Sequence, residues 1–324
     1  MEVYHGGARE GEDKYLDFSY SSNPYAPKFL KNAIKSASFD RYPYCESTLE
    51  KQIKKRFEIG GEVVIGAGVT ELLNMASYLF KGKTAVMLKS TYGEYARIAK
   101  LFDMKIRYVT NPDPELEDLK LHNEVLYFSN PNNPTGKYYR FLKELAEYSA
   151  KKNSYVIVDE AFIDFVEKPV KEYRENMIIL RSFTKSYNIA GIRTGYAITE
   201  PGIASQLRMF RMPWSIGALG CSVVRAIVED SEYLSTTLPK IERERKRVET
   251  RLNLKTDANY FIADVKNAAG VTEKLKKKNM LVRNCSSFGL DCCIRFSIKR
   301  KNENSMLLDE LEQFEPKIPR WLRI

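Results

Sequence analysis

Residues 181–195 carry the side chains best suited to chemistry, and Lys185 lies at their centre. Ser182 and Thr184 bring hydroxyl groups next to the lysine, and Arg193 follows it. A primary amine becomes nucleophilic near neutral pH when a neighbouring cation or partial loss of solvent lowers its pKa, so this stretch suits Schiff-base chemistry. Taken alone, such a lysine is more often a solvated surface group. The assignment therefore depends on the residues upstream.

Several motifs upstream of the lysine also suit a ligand. The glycine-rich turn at residues 66–70 precedes a predicted helix, where backbone N–H groups favour an anion, although such turns are common. Asp159 ends a predicted strand and could hold a heteroaromatic nitrogen protonated, or simply cap a helix. Asn133 lies in a turn sequence. Tyr92 could lay its ring on a flat ligand or pack in the core.

These motifs are separated by strands and helices that alternate along the chain. This alternation predicts an α/β fold with a mostly parallel, doubly wound sheet. Ligands bind at the carboxyl ends of the strands in such sheets, and each motif follows a strand. The predicted strands are residues 63–65, 84–88, 105–109, 125–128, 154–158, 177–180 and 196–199, and the predicted helices are residues 47–57, 72–80, 92–102 and 138–152.

The last third of the chain predicts a smaller α+β domain. A long helix is expected over residues 233–253, and Pro239 should kink or split it. Strands and helices of mixed order follow to residue 314. Because 324 residues exceed the usual size of one core, we expect a large domain at residues 38–230 and a small domain formed from residues 1–37 and 231–324.

The motifs, in their order and spacing, resemble those of fold-type I pyridoxal-phosphate enzymes, in the aminotransferase class I/II group. The resemblance rests on the glycine-rich turn, on Asn-Pro-Thr-Gly from Asn133, on Asp159, and on Lys185 followed by Arg193. It covers nearly the whole chain. It implies pyridoxal 5′-phosphate as cofactor, bound through a Schiff base to Lys185.

The resemblance also implies further roles. Asp159 would contact the pyridinium nitrogen, Tyr92 would stack on the ring, and both would act with Lys185 in catalysis. Asn133 would bind the ring 3′-oxygen. The cofactor phosphate would be held by Val69, Thr70, Ser182, Thr184 and Arg193, and by Tyr42 of the neighbouring subunit, so that a homodimer is expected.

Two branches of the group fit the sequence. His5-Gly6-Gly7, Phe162 in place of the tyrosine usual in histidinol-phosphate aminotransferases, and residues 281–285 and 294–298 resemble L-threonine-O-3-phosphate decarboxylases. We therefore expect decarboxylation of L-threonine O-3-phosphate to (R)-1-aminopropan-2-yl phosphate, in cobalamin biosynthesis. Residues 286–290 resemble either branch. Histidinol-phosphate transamination to 2-oxoglutarate is the alternative.

Four residues are expected to bind this small phosphorylated substrate. Arg295 suits the carboxylate, because a planar guanidinium binds it bidentately, and Arg283 suits the phosphate. The alternative is that these arginines lie on the surface at strand ends. His5, near the substrate phosphate in the resembling branch, and Asn23, in the irregular N-terminal segment, complete the set.

Composition excludes several other classes of function. The net charge is +10, but the basic residues are dispersed, and residues 240–251 alternate both signs as a solvated helix does. We therefore expect no nucleic-acid partner, although the charge could steer an anion. With five cysteines and no Cys-x-x-Cys pair, neither a disulfide nor a metal site is expected. The sequence lacks a signal peptide and an apolar run of roughly 18 residues, which predicts a cytoplasmic protein without a membrane partner.

Overall fold

The computed structural model describes residues 6–12, 14–111, 113–170 and 173–322. Within these residues the helices are α1 (Leu30–Lys35), α2 (Glu46–Arg56), α3 (Val69–Leu79), α4 (Glu94–Leu101), α5 (Leu142–Lys151), α6 (Phe183–Ser186), α7 (Pro201–Phe210), α8 (Ala218–Glu229), α9 (Tyr233–Leu252), α10 (Ala268–Lys277) and α11 (Lys301–Leu311). The strands are β1 (Leu16–Asp17), β2 (Glu62–Gly66), β3 (Thr84–Leu88), β4 (Lys105–Val109), β5 (Val125–Ser129), β6 (Tyr155–Asp159), β7 (Met177–Ser182), β8 (Gly195–Thr199), β9 (Tyr260–Asp264), β10 (Met280–Leu281), β11 (Arg283–Asn284) and β12 (Cys293–Ser297).

The main sheet of the described residues has seven strands in the order β2-β8-β7-β6-β5-β3-β4. Five neighbouring strands of this sheet run parallel, namely β7, β6, β5, β3 and β4. Strand β8 runs antiparallel to both of its neighbours, β7 and β2. The inner strands β5 and β8 are buried at every position, as expected of strands that are covered on both faces. The predicted α/β fold with a mostly parallel, doubly wound sheet is confirmed.

Side chains of the same strand belong to different cores on the two faces of the sheet. Val86 packs in one apolar cluster and Met87 in another, because successive side chains of a strand point to opposite faces. The covering helices are amphipathic. In α5, for example, the buried positions Leu142, Leu145 and Ala146 fall on one face at helical spacing. Helices on both faces thus cover the sheet.

The C-terminal part builds a second, smaller sheet. Strands β11, β12 and β9 pair antiparallel in that order. The N-terminal segment joins this part, because β1 pairs with β10. The helix α9 packs on the same core through Ile241, Val248 and Leu252, and runs without a break through Pro239. Of the two effects expected of Pro239, a kink or a split, the split does not occur, since burial along the helix outweighs the one hydrogen bond that proline cannot donate.

One expectation about the cysteines is wrong. Cys45 and Cys221 form a disulfide that links the residue before α2 to α8, with the Cα atoms 6.0 Å apart. The two helices pack together, which places these buried cysteines side by side although 176 positions separate them. Sequence spacing alone could not reveal this proximity. Cys285, Cys292 and Cys293 are free thiols.

The lengths and compositions of the helices show whether any of them could cross a membrane. Among those of the described residues, none is both long and apolar enough to cross a bilayer. The long helix α9 illustrates the reason, because its second half is rich in charged residues.

Candidate active site

A cavity of about 390 Å³ opens at the carboxyl ends of the central parallel strands. Ser129 ends β5, Asp159 ends β6 and Ser182 ends β7, and all three side chains line this cavity. Ser129 and Asp159 are register partners, so the parallel pairing itself brings them together. The C-terminal strands contribute a further part of the cavity wall through Arg283 and Arg295.

The structure gathers most of the sequence-predicted site residues around this cavity. Those that line it are Val69, Thr70, Tyr92, Asn133, Asp159, Ser182, Thr184, Lys185, Arg193, Arg283 and Arg295. They come from distant parts of the chain. Most of them end or follow a strand of the main sheet or lie near the start of a helix, whereas Arg283 and Arg295 lie within β11 and β12.

Two predicted residues lie away from the cavity, and a third falls outside the described residues. Asn23 is buried behind the lysine, and its side-chain amide donates to Ser186 O at 3.0 Å and to Thr237 Oγ1 at 2.9 Å. These contacts make it an internal anchor rather than a cavity-lining group. Tyr42 is 66% exposed and lies outside the cavity of its own chain. His5 lies outside the residues that the structure describes.

Lys185 follows β7 within the short helix α6, which Ser182 caps by accepting from Thr184 N at 3.2 Å. The backbone oxygen of Lys185 accepts from Asn23 N at 2.8 Å and from Ser22 Oγ at 3.1 Å, so the N-terminal segment fixes its position. Its side chain is partly exposed to the cavity and otherwise surrounded by protein. Burial, followed by the positive charge of Arg295, lowers the pKa of Lys185 to about 8.

Asp159 is only 6% exposed. Its Oδ2 accepts a hydrogen bond from Tyr95 OH at 2.7 Å, and its Oδ1 accepts from Ala161 N at 3.0 Å. Burial raises the pKa of Asp159 above its ordinary value, while these donors and the charge of Lys185 favour the ionised form. The site thus holds a desolvated carboxyl group and a desolvated amine that line one cavity.

The first turn of α3 forms an anion cradle. Gly68 precedes it with φ 81°. Because Val69 and Thr70 lie in the first turn, their backbone N–H groups have no acceptor within the helix and are available to an anion. A β-carbon at Gly68 would lie 3.0 Å from Arg193 Nη2, so the guanidinium is held beside the helix start. Ser182 and Thr184 add hydroxyl groups to the same wall. Amides, hydroxyls and a cation together make a donor set suited to a phosphate.

Asn133 and Tyr92 occupy positions that suit a flat ligand. The amide oxygen of Asn133 accepts a hydrogen bond from Arg295 Nη1, which orients the side chain at the cavity wall. The ring of Tyr92 lines the cavity and packs edge-on against Tyr95, with centroids 5.5 Å apart. Burial raises the pKa of Tyr92 to about 12, so its hydroxyl stays protonated near neutral pH.

The arginine wall carries two buried guanidinium groups. Arg283 is 3% exposed and donates to Ser287 Oγ at 2.8 Å. Arg295 is 6% exposed and donates to Ser19 O at 2.8 Å, while its buried Nε meets no acceptor among the described residues. Burial lowers the pKa of Arg295, yet an arginine stays charged at any ordinary pH. A buried cation with spare donors suits an anionic ligand.

The residues that contact the site residues Asp159 and Arg295 were not identified by the sequence analysis. Tyr95 bonds Asp159, and Tyr260 places its ring 5.1 Å from the Arg295 guanidinium and donates to Asn132 O at 3.0 Å. Tyr20 also lines the cavity. Within the helix predicted for residues 92–102, the spacing of Tyr95 three positions after Tyr92 is the signal that could have placed the two side chains on one face.

The geometry fits pyridoxal phosphate, the cofactor expected from the sequence. The anion cradle at α3 matches a phosphate monoester, and Lys185 supplies an amine of lowered pKa at the same cavity. The buried carboxyl of Asp159 suits a cationic ring nitrogen, because a cation there would offset the cost of burying the carboxylate.

Comparisons with known proteins agree with this geometry. The model of the family described as aminotransferase class I and II matches residues 14–311. A histidinol-phosphate aminotransferase from Clostridium beijerinckii is 29% identical over 340 residues, which cover 96% of this chain and 94% of the relative. A Caldanaerobacter subterraneus protein, provisionally named a threonine-phosphate decarboxylase, is 28% identical over 322 residues, which cover 89% of this chain and 87% of the relative.

Solved structures show the same fold. The histidinol-phosphate aminotransferase from Clostridium acetobutylicum superposes with a TM-score of 0.81 at 27% identity, covering 93% of this chain and 99% of that one. The histidinol-phosphate aminotransferase from Sinorhizobium meliloti, solved with pyridoxal 5′-phosphate, gives a TM-score of 0.80 at 21% identity, with 91% and 89% covered. At that identity the second likeness concerns the fold.

Proposed function

The chain belongs to the aminotransferase class I and II family, whose members depend on pyridoxal phosphate, and from this premise we propose that it acts on a small phosphorylated amino acid. The leading candidate is decarboxylation of L-threonine O-3-phosphate to (R)-1-aminopropan-2-yl phosphate. The observation that carries this choice is the pair of buried arginines that line the cavity together with Lys185, because L-threonine O-3-phosphate would engage both arginines with one molecule, whereas transamination would use them for two substrates in turn.

The residues that would hold the cofactor follow from the contacts described above. Lys185 Nζ is the attachment point, and Asp159 would face the ring nitrogen. Asn133 would bind the ring 3′-oxygen, and Tyr92 would cover the ring. The phosphate would be held by Val69, Thr70, Ser182, Thr184 and Arg193. When bound, pyridoxal phosphate supplies an electron sink for the pair left on the substrate α-carbon.

Lys185 has two proposed tasks. Its lowered pKa raises the fraction of free amine near neutral pH, and the free amine is the nucleophilic form. After the bond to the carboxylate breaks and CO₂ leaves, the α-carbon must gain a proton in its place. Lys185 Nζ, which lies in the cavity wall, is the proposed donor of that proton.

The two arginines indicate a substrate with two anionic groups. Arg283 and Arg295 are cross-strand partners on β11 and β12, so their guanidinium groups are delivered to one wall. We assign Arg295 to the carboxylate and Arg283 to the phosphate, because each guanidinium can donate two parallel hydrogen bonds to an oxyanion. L-Threonine O-3-phosphate carries both groups in one molecule, whereas histidinol phosphate carries no carboxylate.

Phe162 supports the decarboxylase choice. Its ring lies 5.9 Å from Lys185 Nζ and packs edge-on against Tyr260, with centroids 4.9 Å apart. The histidinol-phosphate aminotransferase branch is expected to have a tyrosine at this position. The apolar ring of Phe162 offers no hydroxyl group beside the lysine.

Histidinol-phosphate aminotransferase is the second candidate. It is favoured by the name of the Clostridium beijerinckii relative, which aligns over nearly its full length. In that case the same arginines would bind the phosphate of histidinol phosphate and a carboxylate of 2-oxoglutarate in turn. The scaffold, Lys185 and Asp159 would serve both reactions.

A homodimer is part of the proposal. Tyr42 stacks on Trp214 with centroids 4.4 Å apart, and Tyr44 meets the same ring edge-on. Tyr44 is 81% exposed, and Met212, which lies two residues before Trp214 in the chain, is 71% exposed. An exposed patch of large apolar side chains favours contact with another protein surface. We propose that a second copy covers it and receives Tyr42 near its cofactor phosphate. Sedimentation of the protein as a monomer at micromolar concentration would contradict this.

The division into domains is also proposed. The large domain would span residues 38–230, and residues 1–37 with 231–324 would form the small one. Support comes from the apolar clusters, because the C-terminal strands share a core with Phe18 of the N-terminal segment. Phe162 and Phe165 also join that core, so the two units would contact each other beside the active site.

A paired assay on cofactor-loaded protein tests the proposed function. One arm measures CO₂ release from L-threonine O-3-phosphate without a keto acid, and the other measures glutamate formation from histidinol phosphate and 2-oxoglutarate. CO₂ release without glutamate formation supports the decarboxylase. Glutamate formation without CO₂ release would replace it with the second candidate.

A further inference from the structure

Tyr95 is a buried tyrosine that contacts two proposed cofactor residues at once. It is 1% exposed and lies in α4, on the side that faces the sheet. Its hydroxyl donates to Asp159 Oδ2 at 2.7 Å, and its ring meets the ring of Tyr92 nearly perpendicularly, at 87°. A single side chain thus connects the carboxyl group to the aromatic residue that lines the cavity.

The hydrogen bond matters because Asp159 is buried. A desolvated carboxyl group favours its neutral form unless donors stabilise the negative charge. The described donors to Asp159 are Tyr95 OH and Ala161 N, one to each oxygen. Burial raises the pKa of Tyr95 well above its ordinary value, so its hydroxyl remains a donor over the whole working pH range.

Other titratable groups near Asp159 come from several elements. Lys185 of α6 favours the ionised carboxylate by its charge. Tyr92, before α4, and Tyr260, on β9, are neutral phenols on which the charge of Asp159 acts. Glu160 follows Asp159 in the chain, but it pairs with Arg181 at 2.8 Å. Tyr95 is therefore the neutral group that directly donates a side-chain hydrogen bond to the carboxylate.

We propose that Tyr95 is a positioning residue that orients Asp159 and keeps it ionised, so that the site prefers a ligand with a protonated ring nitrogen. This inference rests on the proposed function, because it requires Asp159 to face the cofactor ring. Tyr95 itself touches neither the substrate nor the cofactor in this account. It acts through the carboxyl group.

Tyr127 offers a matched control. It is fully buried in the same apolar cluster, and its ring centroid lies 5.8 Å from that of Tyr95. Its hydroxyl donates to Ser77 Oγ at 2.9 Å, and it makes no hydrogen bond to Asp159. Tyr127→Phe therefore removes a buried phenol hydroxyl from the same core without changing the donors to the carboxylate.

The experiment measures cofactor binding to the apo form of the full-length protein, at several pH values. Two probes are compared, pyridoxal phosphate and its carbocyclic analogue in which CH replaces the ring nitrogen. Tyr95→Phe should weaken the binding of pyridoxal phosphate about tenfold or more relative to the binding of the analogue, since a hydrogen bond to a charged group is lost. The loss of affinity on acidification should begin about one pH unit higher, because the carboxylate is protonated more readily.

A second replacement tests the same hydrogen bond in the opposite direction. A fluorinated tyrosine at position 95 keeps the size of the ring but makes the phenol a stronger donor, so the loss of affinity should begin at lower pH. This change preserves packing even if Tyr95→Phe unfolds the protein. Urea unfolding of Tyr95→Phe and Tyr127→Phe separates a loss of stability from a loss of ring-nitrogen preference.

The outcomes distinguish this inference from the proposed function. Asp159→Asn should also reduce the preference for pyridoxal phosphate over the analogue. If Asp159→Asn does so but Tyr95→Phe behaves like Tyr127→Phe with both probes, the role of Tyr95 is overturned and the proposed function stands. If Asp159→Asn weakens the binding of both probes equally, the assignment of Asp159 to the ring nitrogen is wrong, and the proposed role of Tyr95 is wrong as well.

Discussion

Arg283 and Arg295 stand opposite each other across the β11–β12 pair, and both line the cavity that contains Lys185. Cross-strand partners share one face of a sheet, so the pairing delivers both guanidinium groups to the same wall. Neither charge is left to bulk solvent, since both side chains are buried. We propose that this arginine wall, rather than the anion cradle at α3, selects the substrate.

Substitution of either arginine should change substrate use in a specific way. Arg283→Gln should raise KM for L-threonine O-3-phosphate about ten- to hundredfold, because charge-assisted hydrogen bonds to phosphate are lost. It should also reduce the preference for the phosphorylated amino acid over threonine. Arg295→Gln should instead reduce the preference for threonine phosphate over its decarboxylated product as a ligand. Equal effects of both variants on both comparisons would contradict the separate assignments.

Lys185→Ala should abolish covalent attachment of pyridoxal phosphate. Borohydride reduction followed by peptide mass mapping of the wild-type protein should place the adduct on Lys185, whose amine has the lowered pKa. Lys89→Ala is the matched control, because Lys89 is an exposed lysine that lines the same cavity. An adduct retained in Lys185→Ala and lost in Lys89→Ala would show that the wrong lysine has been assigned.

The rate at which Lys185 reacts with pyridoxal phosphate should change with pH, with a midpoint at about 8, the lowered pKa of its amine. As the pH rises through this value the amine loses its proton, so the rate of attachment should rise and then level off. Arg295→Gln removes a nearby positive charge, which raises the pKa and moves the profile to higher pH. Arg140→Gln, an exposed arginine outside the cavity, should leave the profile in place. A profile of wild-type protein centred near the ordinary lysine pKa would contradict the description of the site.

Gly195→Ala should destabilise the protein and disturb the anion cradle. An added β-carbon would lie 2.6 Å from Arg181 O and 3.3 Å from Val69 N, so the backbone must shift, at a cost of about 1–3 kcal/mol. Gly191→Ala, in the turn that precedes β8, meets no atom of the described residues within 4 Å and should change the free energy of unfolding by less than about 0.5 kcal/mol. Urea unfolding measures both values. Equal stability of the two variants would show that the close approach at Gly195 is relieved without cost.

Much of the fold was predictable because its signals are local. Apolar runs of strand length, separated by helical periods, indicated the parallel sheet, and the structure confirms it. The helix α7 was missed, although Glu200 caps it and Pro201 opens it, as helix starts often do. The pairing of Cys45 with Cys221 was not predictable, because it depends on how two helices pack.

Some residues of the candidate site could likewise be predicted from the sequence, and others could not. Asp159 and Lys185 could be placed together because the carboxyl ends of neighbouring parallel strands meet. Tyr95 could not, because its role depends on a helix side chain reaching a strand 64 positions away. Asn23 was assigned to substrate, whereas the structure uses its amide to anchor an irregular segment, and such segments have no period from which side-chain direction can be predicted.

The most direct test of the proposed function follows a single substrate through the reaction. Cofactor-loaded protein is mixed with L-threonine O-3-phosphate labelled in its carboxyl group, without any keto acid, and both the label and the nitrogen are traced. We predict that the label leaves as CO₂, that the nitrogen stays in the amine product, and that turnover continues past one equivalent of enzyme. Label retained in a keto product, with turnover stopping after one equivalent, would contradict decarboxylation and indicate transamination.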